Sequence, residues 1–190
     1  HLTNRRQRQM CIRDSYLTIL GVILLTVSSK ISIPFYPVPM TLQTLVVFFI
    51  AASMGMIGFY STFIYVVLGV LGLPLFANGG GIGYIFSPTF GFLYGMVISA
   101  FIIAYILKSE VKIGLIKLSA TILAGAFVIF LCGISHLSFF VGLEQAINLG
   151  LLPFLYSEFL KIVLAIAIIF GLIQRAVSYT HLRAHETCGH

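Results

Sequence analysis

Residues 153–174 read PFLYSEFLKIVLAIAIIFGLIQ, an apolar run carrying two opposite charges, Glu158 and Lys161. About 20 apolar residues suffice for a helix to cross a hydrocarbon core of about 30 Å. This stretch therefore predicts a membrane span. Each ionisable side chain costs roughly 2.5–3.5 kcal/mol near the centre of such a helix, so the two charges need a reason to be there. Three positions apart on a helix, they share one face. Two readings stay open: an interfacial ion pair that snorkels to the headgroups, or a polar site facing the inside of a helix bundle.

Composition supports a bilayer as the main solvent. Of the 190 residues, 59% are hydrophobic and 8% charged, with a mean hydropathy of +1.09; an ordinary soluble domain carries about 25% charged residues. The length suits a single transmembrane domain with about five to seven spans. The net charge of +6 invites a nucleic-acid reading, but Arg5, Arg6, Arg8 and Arg13 crowd the first 15 residues. Between 16 and 175 the basic residues are Lys30, Lys108, Lys112, Lys117, Lys161 and Arg175, against Glu110, Glu144 and Glu158. That modest excess sits mostly in one loop, as charge topology requires of a membrane protein. No nucleic acid is expected as a partner.

Both ends have a different character. Residues 1–15 and 176–190 hold four of the five histidines and two of the three cysteines, with no apolar period. They resemble translated adaptor sequence, so the expected native domain is 16–175. His181, His185 and His190 lack partners in the core and are not read as a metal site; Cys132 alone builds neither disulfide nor zinc site. No metal and no cofactor are expected.

Six spans are predicted: 16–33, closed by Pro34, Pro37 and Pro39; 41–54 and a third reaching 73, divided near Ser53–Gly58; then 90–107, 113–134 and 152–174. The fold class is all-α, an integral membrane protein built as a six-transmembrane-helix bundle. Lys108, Lys112, Lys117 and Arg175 fall on one side, which the positive-inside bias makes cytoplasmic. Lys30, at the external end of the first span, is the exception. The Glu158–Lys161 pair then lies near the outer surface. Two external segments stand out. Residues 74–91, PLFANGGGIGYIFSPTFG, read as a packed apolar loop in which glycine permits close backbone approach. Residues 135–150 predict a short interfacial helix or lid with Phe139, Phe140, Leu143 and Ile147 toward the membrane. His136 there is read as a satisfied interfacial residue.

There is no GxxxxGK[ST], HExxH or GxSxG in the chain, and GGGIG follows a membrane span instead of opening a βαβ unit. An enzyme is not expected. The remaining chemistry is a polar cluster of Glu158, Lys161, Asn78 and the buried amide of Gln43. Carboxylate acceptors beside amide and ammonium donors suit a small ligand carrying both donors and acceptors; a ureido ring is one such group.

Three stretches, ISIPFYPVPMTLQTL (31–45), YVVLGVLGLPLFANGGGIGYIFSPTFGFLYG (65–95) and LLPFLYSEFLK (151–161), cover about a third of the chain. In order and spacing they resemble the BioY family, the membrane-embedded biotin-binding S components of energy-coupling factor (ECF) transporters. The resemblance implies a six-helix bundle in the plasma (inner) membrane with a biotin site near its external face. It implies two kinds of partner, a transmembrane coupling subunit and ABC-type ATPases. Asn78 and Lys161 match family positions, and Glu158 stands where the family more often has Asp. The family's GPTGGY appears as residues 87–92, with Phe90 in place of a glycine. Tyr84 and Thr89 join the implied ligand contacts with Gln43. The small-xxx-small motif expected in the first helix is not clean, only Gly21, Thr26, Ser28 and Ser29 being small. Gly91 with Gly95, and Ala100 with Ala104, suit packing within the bundle equally well. Two alternatives accompany this reading: the same fold with another vitamin-like ligand, and a ligand-free structural membrane protein. The latter predicts that Glu158 and Lys161 merely pair and that Asn78 is remote from both.

Overall fold

A computed structural model of the chain describes the backbone of residues 2–34, 36–108 and 113–187, and side chains for 11–34, 36–108 and 113–175. Lys112 and Glu110 of the basic loop lie outside the described residues, as do the side chains of His181, His185 and His190. The elements run α1 (Leu2–Lys30), β1 (Ser32–Ile33), β2 (Met40–Thr41), α2 (Gln43–Met54), α3 (Met56–Val70), a 3₁₀ turn (Ile82–Phe86), α4 (Phe90–Leu107), α5 (Leu115–Val141), α6 (Leu143–Gly150) and α7 (Leu152–Thr187).

The described residues thus hold seven α-helices, against the six expected. Four contain stretches long and apolar enough to cross a membrane: Cys11–Lys30, Phe90–Leu107, Leu115–Val141 and Leu152–Arg175. The other two expected spans, α2 and α3, have 12 and 15 residues, about 18 and 23 Å at 1.5 Å per residue. They divide where the sequence suggested. Gly55 stands at φ 58°, ψ −129°, a backbone that residues with a Cβ rarely adopt, and α3 restarts immediately after it. The seventh helix, α6, comes from the segment read as an interfacial helix. It is shorter than that segment because α5 runs past the expected end at 134, as far as Gly142 at φ 82°.

The outer faces of the bundle are apolar, and its mainly apolar core also takes in several small polar side chains. Ile19, Ile23 and Val27 of α1, Leu123, Phe127 and Leu131 of α5, and Val163 and Leu164 of α7 are exposed, whereas Ser61, Thr62, Ser99 and Thr121 are buried. That inversion suits a lipid surround, where polar groups must find partners inside the protein. Small hydroxyls do so locally: Ser61 Oγ donates to the Ile57 carbonyl at 2.8 Å and Thr62 Oγ1 to that of Gly58 at 2.9 Å.

Helix α4 is central and packs most extensively on α5. A Cβ at Gly95 would lie 3.0 Å from Cys132 Cβ and 3.1 Å from Ile129 Cα, and one at Gly91 would meet His136 and Cys132 of the same helix. The GxxxG pair is therefore an internal contact between α4 and α5. Helix α1 is peripheral, with 17% of its apolar stretch buried against 56% for α4. A two-stranded antiparallel hairpin, Ser32 opposite Thr41 and Ile33 opposite Met40, leads from α1 toward α2.

Candidate functional site

The first turn of α2, the first half of α4, the second half of α5 and the first half of α7 converge with the hairpin and the 74–89 loop. They line a cavity with an open mouth. Five of the six expected site residues line it: Gln43, Tyr84, Thr89, Glu158 and Lys161. The sixth, Asn78, is exposed, and its neighbour Ala77 reaches the cavity instead.

Glu158 and Lys161 are 4% and 8% exposed, so they point into the bundle and do not snorkel. The Lys161 ammonium has three protons and three protein acceptors: Glu158 Oε2 at 2.7 Å, the Thr41 carbonyl at 2.9 Å and Thr44 Oγ1 at 3.2 Å. It is saturated without any ligand. The carboxylate is not. Lys161 takes Oε2, leaving Oε1 without a donor among the described residues.

Gln43 supplies the complement. It is 3% exposed; its Nε2 is a buried donor without a full hydrogen bond among the described residues, the Tyr65 hydroxyl being its polar neighbour. Such groups are uncommon, because an unmet buried donor costs about 1–3 kcal/mol. A carboxylate with one free oxygen and the side chain of Gln43 therefore line one cavity whose formal charges already cancel.

The rest of the lining is mainly aromatic and apolar, with Phe76, Phe92, Phe130, Phe154 and Met96. Phe76 is 1% exposed and packs on Tyr65 and Tyr84 at centroid distances of 5.5 and 4.7 Å. It fits because α3 offers Gly69 beneath it, where a Cβ would collide with the ring. Thr89 Oγ1 lies 2.8 Å from Ser87 Oγ and donates to Tyr84 Oη at 3.1 Å, fixing the loop's polar edge. His136 is satisfied outside the cavity, its Nε2 3.2 Å from the Ser87 carbonyl, among Phe90, Tyr94 and Phe140.

Sequence reasoning missed Thr41 and Thr44, which hold Lys161, and the four phenylalanines of the wall. The signal for the threonines was present: TLQT sets three polar residues at the mouth of an apolar run.

A family model described as the BioY family matches residues 3–178. The chain belongs to the BioY family. Among its BioY relatives, the biotin transporter BioY of Thermotoga maritima is 39% identical over 145 residues, 75% of this chain and 85% of that one. The probable biotin transporter BioY of Pyrococcus horikoshii is 37% identical over 161 residues, 84% of this chain and 95% of that one. In three dimensions the BioY chain resembles a solved S-component for biotin from an ECF-type ABC transporter, with a TM-score of 0.74 at 22% identity, covering 90% of this chain and 94% of that one. At that identity the likeness is one of fold.

Proposed function

We propose that this chain is the membrane-embedded capture subunit of a biotin uptake system, with residues 16–175 forming one substrate-binding domain and α1–α5 and α7 providing six spans of the plasma membrane. BioY membership and the relatives' names support biotin. The observation carrying the site is the Glu158 oxygen left free by Lys161, in one neutral cavity that Gln43 and four phenylalanines also line. In this reading Glu158 Oε1 accepts an N–H of the ureido ring and Gln43 Nε2 donates to its carbonyl. Tyr84, Thr89 and Phe76 cover the ring system. Asn78, at the loop beside the mouth, reaches a ligand that fills the cavity. Lys161 holds the carboxylate aimed; it acts on the ligand through Glu158.

The chain captures and does not catalyse. It has no nucleotide-binding motif, so uphill uptake draws energy from partners, a transmembrane coupling subunit and ABC-type ATPases of an ECF module. The test is competition for labelled biotin bound to purified protein. Biotin itself should displace the label, and vitamins lacking a cyclic urea should not. Displacement by such a vitamin at lower concentration than biotin would assign the cavity to another ligand.

A further inference from the structure

Lys30 is the external lysine that charge topology leaves unexplained, and its ammonium is committed to a backbone carbonyl 46 residues away. Lys30 Nζ donates to the Phe76 carbonyl at 2.6 Å, and the adjacent Ser29 Oγ donates to the Leu75 carbonyl at 2.6 Å. Tyr65 Oη of α3 donates to that same Leu75 carbonyl at 3.1 Å. Three side-chain donors thus converge on two consecutive carbonyls of an irregular segment. That segment carries Phe76 and Ala77 into the cavity wall, with Asn78 next in line.

We infer that Lys30, assisted by Ser29, is a positioning residue for ligand binding, tethering the Phe76–Asn78 segment to the end of α1 and so holding one wall of the cavity in place. Apart from the buried seat of the Phe76 ring, the segment's own holds are few. Its backbone bonds are a local exchange, with Phe76 N–H to Gly79 O at 2.9 Å and Gly79 N–H to Phe76 O at 3.2 Å, and Gly81 N–H to Gly69 O at 2.8 Å. The glycines that follow, Gly79 and Gly81, both at φ 114°, do not restrict the backbone. Bonds from a charged donor are the stronger kind, and α1 has two uses for this end. Its last residues also lead covalently into the hairpin that brings Val38, Pro39 and Thr41 to the cavity lining. A lysine in the last turn of a helix also favours the helix dipole, but that role requires no contact with Phe76.

The proposal rests on biotin as ligand only for its second readout, so two measurements separate it from the functional reading. Lys30→Met keeps the stem and removes the ammonium; Lys30→Arg keeps a donor. In ligand-free protein, amide exchange at Phe76 and Gly79 should quicken about 10-fold in Lys30→Met, the scale of one charge-assisted hydrogen bond. Amides of α4 and α5 should be unchanged, and Lys30→Arg should restore much of the protection. Biotin should leave Lys30→Met several-fold faster, with the association rate little altered. Unchanged exchange at Phe76 and Gly79, faster exchange throughout the bundle, or an unchanged biotin off-rate despite a loosened segment would each overturn the positioning role. If the unaltered protein fails to bind biotin, the functional reading falls, and the exchange data alone still decide the tether.

Discussion

Lys161→Met keeps the length of the side chain and deletes its charge, and the surroundings dictate the consequence. Three acceptors within 2.7–3.2 Å lose their donor at once. The gravest loss is at Glu158, whose side chain is 5% exposed and whose compensating charge is gone. Breaking a buried pair from one side costs about 3–5 kcal/mol, because the remaining ion is left uncompensated. The double variant Lys161→Met/Glu158→Gln removes that ion. Its residual loss is the unmet Thr41 carbonyl and a poorly matched amide, about 1–3 kcal/mol. The double variant should therefore be more stable than Lys161→Met alone, whereas additivity predicts a less stable one if Glu158→Gln by itself destabilises. Denaturation of the detergent-solubilised protein by titrated SDS, followed by helix signal, gives both values. A Lys161→Met protein as stable as the parent would refute the reasoning, since a snorkelling pair predicts that result. So would a double variant less stable than the single.

Other consequences are more local. Gln43→Leu removes the amide donor and should weaken biotin binding by about 1 kcal/mol, roughly 5-fold, in a direct titration; unchanged affinity would remove Gln43 from the site. Gly69→Val forces the Phe76 ring out of its seat and should cost about 1–3 kcal/mol of overpacking, read as a lower melting temperature together with weaker biotin binding. Topology is best probed at Gly83 and Lys108, since a Cβ at Gly83 meets nothing within 4 Å, whereas one at Gly80 would collide with the Leu73 carbonyl. Cysteines at Gly83 and Lys108 should react with an impermeant thiol reagent from opposite faces of the membrane; reaction of both from outside would overturn the orientation.

Much of this was legible because a bilayer makes polar residues conspicuous. Glu158, Lys161 and Gln43 stand out against apolar neighbours, and all three line the cavity. Helix α4 is bounded by Thr89 and Lys108, as the expected span 90–107 was, and the chain breaks at Gly55, inside the expected Ser53–Gly58 window. The end of α5 was misjudged because Ser135, His136 and Ser138 interrupt the apolar run that marks the span, so the helix that continues there was read as a separate interfacial one. On the helix they are satisfied: Ser135 Oγ donates to the Leu131 carbonyl, Ser138 Oγ to that of Ser135, and His136 reaches Ser87. Each serine hydroxyl bonds back to the preceding turn, so its polarity is met within the helix. The saturation of Lys161 was out of reach for another reason. It depends on α7 meeting Thr41 and Thr44, 120 and 117 residues away, and no local pattern encodes that meeting. Asn78 fits its motif by position, yet the turn of the loop gives the cavity to Ala77.

The most direct measurement of the central claim is an equilibrium titration of biotin into the purified unaltered protein, Glu158→Gln and Glu158→Asp, side by side. The unaltered chain should bind saturably. Glu158→Gln substitutes an amide whose donor end faces ligand N–H groups, and should weaken binding by about 1–3 kcal/mol, roughly 5- to 150-fold. Glu158→Asp keeps the charge and the acceptor pair and should lose far less. Equal affinity for the Glu and Gln proteins, or no saturable binding by the unaltered chain, would contradict the account.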